Sequence, residues 1–96
     1  MYAVIRTYSG QGAKALFDLL AQRKDEVETI IRAVSGFQSY TLLSNDNGGA
    51  TVTVCLDKTG TDESLRIARD WIQENASDLG VGPPEVTEGS TVLHLS

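Results

Sequence analysis

Two side chains in this 96-residue sequence have chemistry suited to moving a proton or holding a negative charge in a small-molecule site. His94 is the only histidine, and histidine is the side chain whose ordinary pKa lies closest to neutrality. Arg6 is the lone charge in a run of β-branched and aromatic residues, where a charge is rarely buried without a partner. We therefore take Arg6 and His94 as the candidate catalytic residues.

Each of these residues also has an interpretation without catalysis. Arg6 either holds an anionic ligand or an enolate, or it forms an ion pair with an acid such as Glu85 or Glu88 across a subunit interface, and we favour the ion pair. His94 stands between two leucines, so it faces a barrel interior or a partner if the leucines face the helices. The other interpretation, which we favour, is a hydrogen-bonded structural histidine or an exposed strand end.

Three aromatic residues are the candidates for contacts with a ligand. Tyr8 and Tyr40 carry hydroxyls that need partners wherever they are buried, which fits a pocket or a satisfied core. Trp71 lies beside the apolar stripe of a predicted helix, where it either packs on the sheet or a partner or forms a cavity wall. Cys55 is predicted to be a small buried apolar residue.

Cofactor and metal chemistry lack the residues they need. One histidine and one cysteine are too few for a metal site of the usual ligands. Residues 10–15 match G-x-G-x-x-A, but a dinucleotide site needs a parallel β-α-β unit with an acidic residue ending the second strand. Here the next strand starts at Phe37 and enters a hairpin. We predict no cofactor, no metal, and glycines that serve a tight turn.

The residue pattern predicts the element order β-α-β-β-α-β. The predicted strands are residues 2–8, 37–44, 50–56 and 85–96, and the predicted helices are 13–34 and 61–77. The apolar stripe of the first helix is interrupted at Arg23, which allows a bend, and Thr61 is the predicted N-cap of the second. The last strand alternates best over 92–95. This order predicts a ferredoxin-like α+β fold, a four-stranded antiparallel sheet with both helices on one face.

Composition indicates a single acidic domain over residues 1–96. The chain is too short for two cores, and its net charge of -5 has the wrong sign for binding the phosphates of nucleic acid or an anionic membrane. Its apolar runs fall far short of the ~20 residues that span a membrane. A lone cysteine and the absence of a secretory pattern lead us to expect a cytoplasmic protein.

Both faces of the predicted sheet need cover. Residues 51–56 alternate between two sets of side chains, and neither set contains a charge. Residues 37–44 carry large apolar or aromatic side chains in both of their sets. Monomers rarely expose so large an apolar patch. We predict a second copy on the free face, with the sheets face to face and about 800 Å² or more buried per chain.

Four segments carry a resemblance to known proteins, namely residues 2–6 (YAVIR), 34–40 (VSGFQSY), 51–57 (TVTVCLD) and 63–71 (ESLRIARDW). With them the sequence resembles the dimeric α/β-barrel proteins that include the antibiotic-biosynthesis-monooxygenase-like domains. The Gly-Phe-x-x-Tyr junction within 34–40 is the most specific of them, and it marks architecture and not a reaction. The resemblance implies a homodimer whose two sheets form a barrel, with a mostly apolar cavity between sheet and helices in each subunit.

Two branches of that family imply different chemistry. The haem-degrading branch depends on an Asn, a Trp and a His from the first strand, the third strand and the second helix, and those elements lack them here. Haem binding is therefore not expected. The cofactor-free oxygenases act on substrates that form stabilised carbanions, so the protein need only exclude water and stabilise negative charge. Such a site could be built here from Arg6, Tyr8, His94 and Trp71.

Three functions remain open at this point. Our prediction is a homodimer of unassigned activity that binds a small apolar or aromatic molecule beneath its helices. The alternative is a cofactor-independent monooxygenase that acts on an aromatic or polyketide-like substrate. The third is a structural or regulatory dimer whose core is filled.

Overall fold

Four strands form one antiparallel sheet, and three helices accompany it. The computed structural model describes residues 1–95. Its strands are β1 (Tyr2–Ser9), β2 (Phe37–Asn45), β3 (Gly48–Cys55) and β4 (Glu85–Ser90). Its helices are α1 (Ala13–Gln22), α2 (Lys24–Arg32) and α3 (Lys58–Asn75), followed by a 3₁₀ turn at Ser77–Leu79. None of the helices within residues 1–95 combines the length and the apolar character needed to cross a membrane.

The sheet order is β2-β3-β1-β4, and every neighbouring pair is antiparallel. The β2–β3 pair is the predicted hairpin, turning at Asp46 and Asn47. The two remaining connections cross over through helices, so the ferredoxin-like α+β prediction is confirmed.

Alternation along β1 decides which side chains meet the helices. Val4, Arg6 and Tyr8 are buried, whereas Ile5 and Thr7 between them are exposed. Successive strand residues point to opposite faces, so the first three lie on the helix side of the sheet. The main core cluster forms there and includes Leu16 and Phe17 of α1 and Trp71 of α3; Ala13, Leu20, Val27, Ile31 and Ala76 complete it with Tyr8.

The predicted first helix is broken into two at Arg23, which is more than the expected bend. Arg23 leaves helical geometry at φ -114° and ψ 30°. Its backbone N–H bonds to the Leu19 carbonyl, and its carbonyl accepts from Val27. Its guanidinium donates to Asn75 at 3.0 Å. The break therefore turns a charged residue toward α3, where the helical pattern called for an apolar one.

The last helix begins one turn earlier than predicted. Asp57 is its N-cap, and its carboxylate accepts a hydrogen bond from the backbone N–H of Thr59 at 3.1 Å. Thr61, the predicted cap, is buried inside the helix and donates to the carbonyl of Lys58 at 3.1 Å. Both residue types favour caps, and only Asp57 has the extended backbone that a cap requires.

The prediction that the final strand runs over residues 85–96 is wrong at its C-terminal end. β4 ends at Ser90, which pairs with Tyr2 at the start of β1. A last backbone bond joins the Thr91 N–H to the Met1 carbonyl at 2.8 Å. Residues 92–95 therefore lie past the end of β1, the only strand beside β4, and their alternation has no ladder to join; residue 96 lies outside the described residues.

Candidate functional site

A cavity of about 430 Å³ lies between β1, α3 and the segment 81–84. We call it the Arg6 cavity. Its apolar wall consists of Leu65, Ile72, Ala76, Val81, Pro83 and Pro84. Its polar groups come from Arg6, Tyr8, Arg69, Gln73 and Ser77, with the backbone of Gly82 beside them. An apolar wall with a few polar groups is the usual composition of a small-molecule site.

Local structure explains how these side chains converge. Arg6 and Tyr8 point inward because they share the buried face of β1. On α3 the lining residues fall at positions 65, 69, 72, 73 and 76, which is one face of a helix. Beyond the 3₁₀ turn, Gly80 takes a positive φ of 69°. The next four residues, which end in two prolines, have no regular structure and close the third side.

Arg6 is a buried cation without a counter-ion among the described residues. Its side chain belongs to a residue that is only 4% exposed. Nη1 donates to the Tyr8 hydroxyl at 3.1 Å, and the guanidinium carbon lies 5.9 Å from the Tyr8 ring centroid. Nε has no hydrogen-bond partner within residues 1–95. Buried polar groups are nearly always paired, so this guanidinium stands out.

No acid pairs with Arg6 within residues 1–95, and the predicted ion pair across a subunit interface stays a prediction. Glu88 bonds to Lys58 at 3.0 Å, and Glu85 is exposed. Arg6 lies on the helix side of the sheet. The opposite face carries Ile5 and Thr7.

Two further hydroxyls near Arg6 have no partner. The Oγ1 atoms of Thr51 and Thr53 are buried and form no hydrogen bond within the described part of the chain. Thr51 is the direct cross-strand neighbour of Arg6. A small cavity of about 30 Å³, lined by Arg6, Thr51, Tyr40 and Trp71 among others, lies beside them. That volume exceeds the roughly 10–15 Å³ that one water needs.

Tyr40 and Trp71 line this small cavity and not the Arg6 cavity. Burial raises the pKa of Tyr40, and the nearby Arg6 guanidinium partly offsets that rise. Trp71 is 8% exposed, and its Nε1 donates to the Glu26 carboxylate at 2.7 Å. The Arg23 guanidinium lies 5.1 Å from its ring centroid. Trp71 thus joins α2 to α3 while its ring forms a wall.

His94 lies apart from both cavities. It is exposed in the segment after β4, between Leu93 and Leu95, which are 74% and 80% exposed. The leucines do not face the helices, so the arrangement that would turn His94 inward does not arise in the single chain. The structure groups Arg6, Tyr8, Tyr40 and Trp71, and it leaves His94 outside.

Two other predictions, that Cys55 is buried and that the glycines of residues 10–15 serve a tight turn, are confirmed. Cys55 is fully buried, and burial raises the pKa of its thiol. Gly10 and Gly12 both take positive φ in the turn that leads into α1, as a tight turn requires.

Within residues 1–95, no three His, Cys, Asp or Glu side chains gather as a metal site would need.

Sequence reasoning missed Arg69 and the segment 81–84 as parts of the cavity wall. Arg69 carried a weak signal, because it stands four residues after Leu65 and three before Ile72 on one helix face. Pro83 and Pro84 are typical of a segment in which no helix continues. Their role in the wall depends on where the loop passes over the sheet, which no local pattern reports.

No family model matches the sequence, and no curated protein matches it significantly. Several solved structures, in contrast, match the fold of this chain. A protein of unknown function from Nitrosomonas europaea, NE2512, superposes with a TM-score of 0.71 at 19% identity, over 99% of this chain and 91% of its own. SnoaB, a cofactor-independent oxygenase from Streptomyces nogalater, superposes with a TM-score of 0.65 at 19% identity. The match covers 98% of this chain and 95% of SnoaB. This chain has the fold of antibiotic-biosynthesis-monooxygenase-like proteins.

A third similar structure was solved with a bound ligand. The monooxygenase from the gene ActVA-Orf6 of Streptomyces coelicolor, in complex with Nanaomycin D, superposes with a TM-score of 0.61 at 20% identity. The match covers 99% of this chain and 89% of that one. The resemblance predicted from the four sequence segments is thereby confirmed at the level of the fold.

Proposed function

We propose that the protein is a homodimer that binds a small apolar or aromatic molecule in the Arg6 cavity. The observation that carries the proposal is the cavity, whose volume of about 430 Å³ lies within the usual range of roughly 300–1,000 Å³ for ligand sites. The cavity also joins a mostly apolar wall to a buried guanidinium, a combination that suits an aromatic molecule better than a purely structural role.

Unpaired apolar surface supports the homodimer. On the helix-free face, β1, β2 and β3 present residues such as Ile5, Leu43 and Val52 and no charged side chain. In addition, Val92 is 98% exposed in the segment after β4. A second copy would bury such surface. The single cysteine is buried and unpaired, which supports our proposal that the protein works in the reducing cytoplasm.

Binding of a neutral aromatic probe tests the proposed cavity. We expect 2-naphthamide to bind the wild-type chain in isothermal titration calorimetry. Leu65→Trp, which places a large side chain in the Arg6 cavity, should weaken binding at least about tenfold, since steric exclusion removes the buried contact area.

Leu42→Trp is the matched control, because Leu42 lies in a separate groove between α2 and β2. It should leave the affinity unchanged. Equal affinity in the wild type and Leu65→Trp would place the probe elsewhere. Native mass spectrometry of the purified protein provides a second readout, namely a molecule retained from the cell.

A cofactor-independent monooxygenase is the second candidate function. It is favoured by the similarity to SnoaB and by a buried cation at the cavity, since a substrate carbanion needs a fixed positive charge beside it. Oxygen consumption with a panel of hydroquinone-like compounds, without added metal or flavin, tests it. Turnover that is lost in Arg6→Ala supports it, whereas rates unchanged in both Arg6→Ala and His94→Ala would remove these residues from the mechanism.

A further inference from the structure

The Arg6 cavity has the opposite charge from the protein that contains it. The chain carries a net charge of -5. The described residues that line the cavity include two arginines, Arg6 and Arg69, and no aspartate or glutamate. A positive cavity in an acidic protein concentrates anions at the site and not over the whole surface.

We infer that the ligand of this cavity carries an anionic oxygen, a carboxylate or an ionised phenol, which bonds to the guanidinium of Arg6. The inference rests on the proposed ligand-binding function and adds the chemical class of the ligand. The apolar part of the molecule then lies against Leu65, Ile72 and Val81.

The protein groups around Arg6 support this inference. A buried guanidinium is stable when a counter-ion and hydrogen-bond acceptors surround it. Within residues 1–95, Arg6 donates to the neutral hydroxyl of Tyr8, the neutral hydroxyl of Tyr40 lies nearby, and Nε reaches no acceptor. Water can supply an acceptor but no charge. An anionic oxygen supplies both the acceptor and the negative charge. The planar guanidinium of arginine also donates two parallel hydrogen bonds that match the two oxygens of a carboxylate.

The neighbouring side chains do not offer an internal counter-ion. Tyr40 is neutral near pH 7, because burial raises its pKa above an already high ordinary value. The acid considered for Arg6, Glu88, is bonded to Lys58. Arg69 adds positive charge at the rim. Its side chain is 71% exposed and lies 3.6 Å from Asp70, so it guides an anion more than it holds one.

A pair of ligands with one shape and different charge tests the inference. Titration calorimetry on the wild-type full chain would compare 2-naphthoate with 2-naphthamide. We expect the acid to bind about 10-fold to 100-fold more tightly, as hydrogen bonds to charged groups imply. Arg6→Gln should abolish the preference, and Arg6→Lys should restore part of it. Arg32→Gln is the control, an exposed arginine outside this cavity.

The source of the anionic oxygen is resolved by a third probe, 4-nitrophenol, which ionises near neutral pH. Arg6-dependent binding that appears with the ionised phenol, without binding of naphthoate, identifies a phenolic ligand and supports the inference. Binding of both anions also supports it.

The outcomes separate the inference from the proposed function. If 2-naphthamide binds as tightly as 2-naphthoate, the anionic ligand is excluded and the apolar cavity stands. If no probe binds the folded wild-type chain, the proposed function itself is overturned. The ratio of the affinities for 2-naphthoate and 2-naphthamide is measured on the wild type. It therefore still tests the inference if Arg6→Gln fails to fold.

Discussion

Arg6 is a buried side chain with no counter-ion among the described residues. An uncompensated buried charge is among the most unfavourable arrangements in a protein interior. Arg6 nevertheless lies on the helix side of the central strand β1, with one hydrogen bond to a neutral group among the described residues. Functional sites commonly retain such groups at the expense of stability.

Arg6→Met should therefore stabilise the ligand-free protein, by about 1–2 kcal/mol, because apolar replacements of buried charged groups are often stabilising. The measurement is the free energy of unfolding in urea. Arg23→Met is the control, since Arg23 bonds to Glu26 and Asn75 and its removal should lower stability. A loss of stability in Arg6→Met would mean that the guanidinium is already compensated.

Glu26 should make stability depend on pH. The hydrogen bond from Trp71, and then that from Arg23, hold the pKa of Glu26 below its ordinary value of 4.5. A carboxylate with a lowered folded-state pKa stabilises the protein above its unfolded-state pKa, and the contribution disappears as the pH falls through the folded-state value.

Glu26→Gln should thus be less stable than the wild type at neutral pH, and the gap in stability should close as the pH falls below the ordinary carboxyl pKa of 4.5 and through the lowered folded-state value. Thermal unfolding followed by the fluorescence of Trp71, the only tryptophan, measures it. Glu74→Gln removes the same charge from an exposed position of α3 and should show no such closure. A gap that persists in acid would exclude the Trp71–Glu26 bond as its source.

At the scale of elements, α3 is held against the rest of the chain by a close approach at Gly60. A β-carbon at this position would overlap the carbonyl oxygen of Ser35 and would lie 2.8 Å from the β-carbon of Cys55. Gly60 thus lets the first turn of α3 reach the end of β3. The same helix supplies one wall of the Arg6 cavity, so its position matters for the site.

Gly60→Ala should lower the free energy of unfolding by about 1–3 kcal/mol through overpacking, although alanine is the better helix former. Gly89→Ala in β4 is the matched control, because nothing lies within 4 Å of the added carbon. Chemical denaturation of both variants gives the comparison. Equal stabilities would show that α3 can shift away from β3 without penalty.

At the scale of the whole molecule, the proposed dimer depends on the helix-free face of the sheet. Val52 of β3 lies beside Ile5 of β1 and Thr41 of β2 on that face. Val52→Lys would bury an unpaired ammonium group between two copies, which is strongly unfavourable.

Light scattering should therefore give twice the chain mass of 10.3 kDa for the wild type and the single mass for Val52→Lys. Ala15→Lys, at an exposed position of α1, should remain dimeric. A wild-type chain that is already monomeric at micromolar concentration would remove the homodimer from the proposed function.

Local patterns predicted the fold well, because strands and helices have different repeat lengths. The alternation in β1 accounts for the shared buried face of Val4, Arg6 and Tyr8. The predicted hairpin is confirmed, with Asn47-Gly48 at its turn, and the order of elements leaves few topologies. Errors arose where two local signals competed, as at Asp57 and Thr61, or where alternation continued past its pairing partner, as at residues 92–95.

The sequence by itself determined the element order, the inward-facing residues of β1 and the absence of charge on the free face of β1, β2 and β3, since each depends on residues close together in the chain. Only the tertiary structure decided that Arg6 lacks a counter-ion among the described residues, that residues 81–84 complete a cavity and that His94 lies outside it. Those properties depend on which segments, tens of residues apart, pack against one another, and a side chain's partners exist only after that packing.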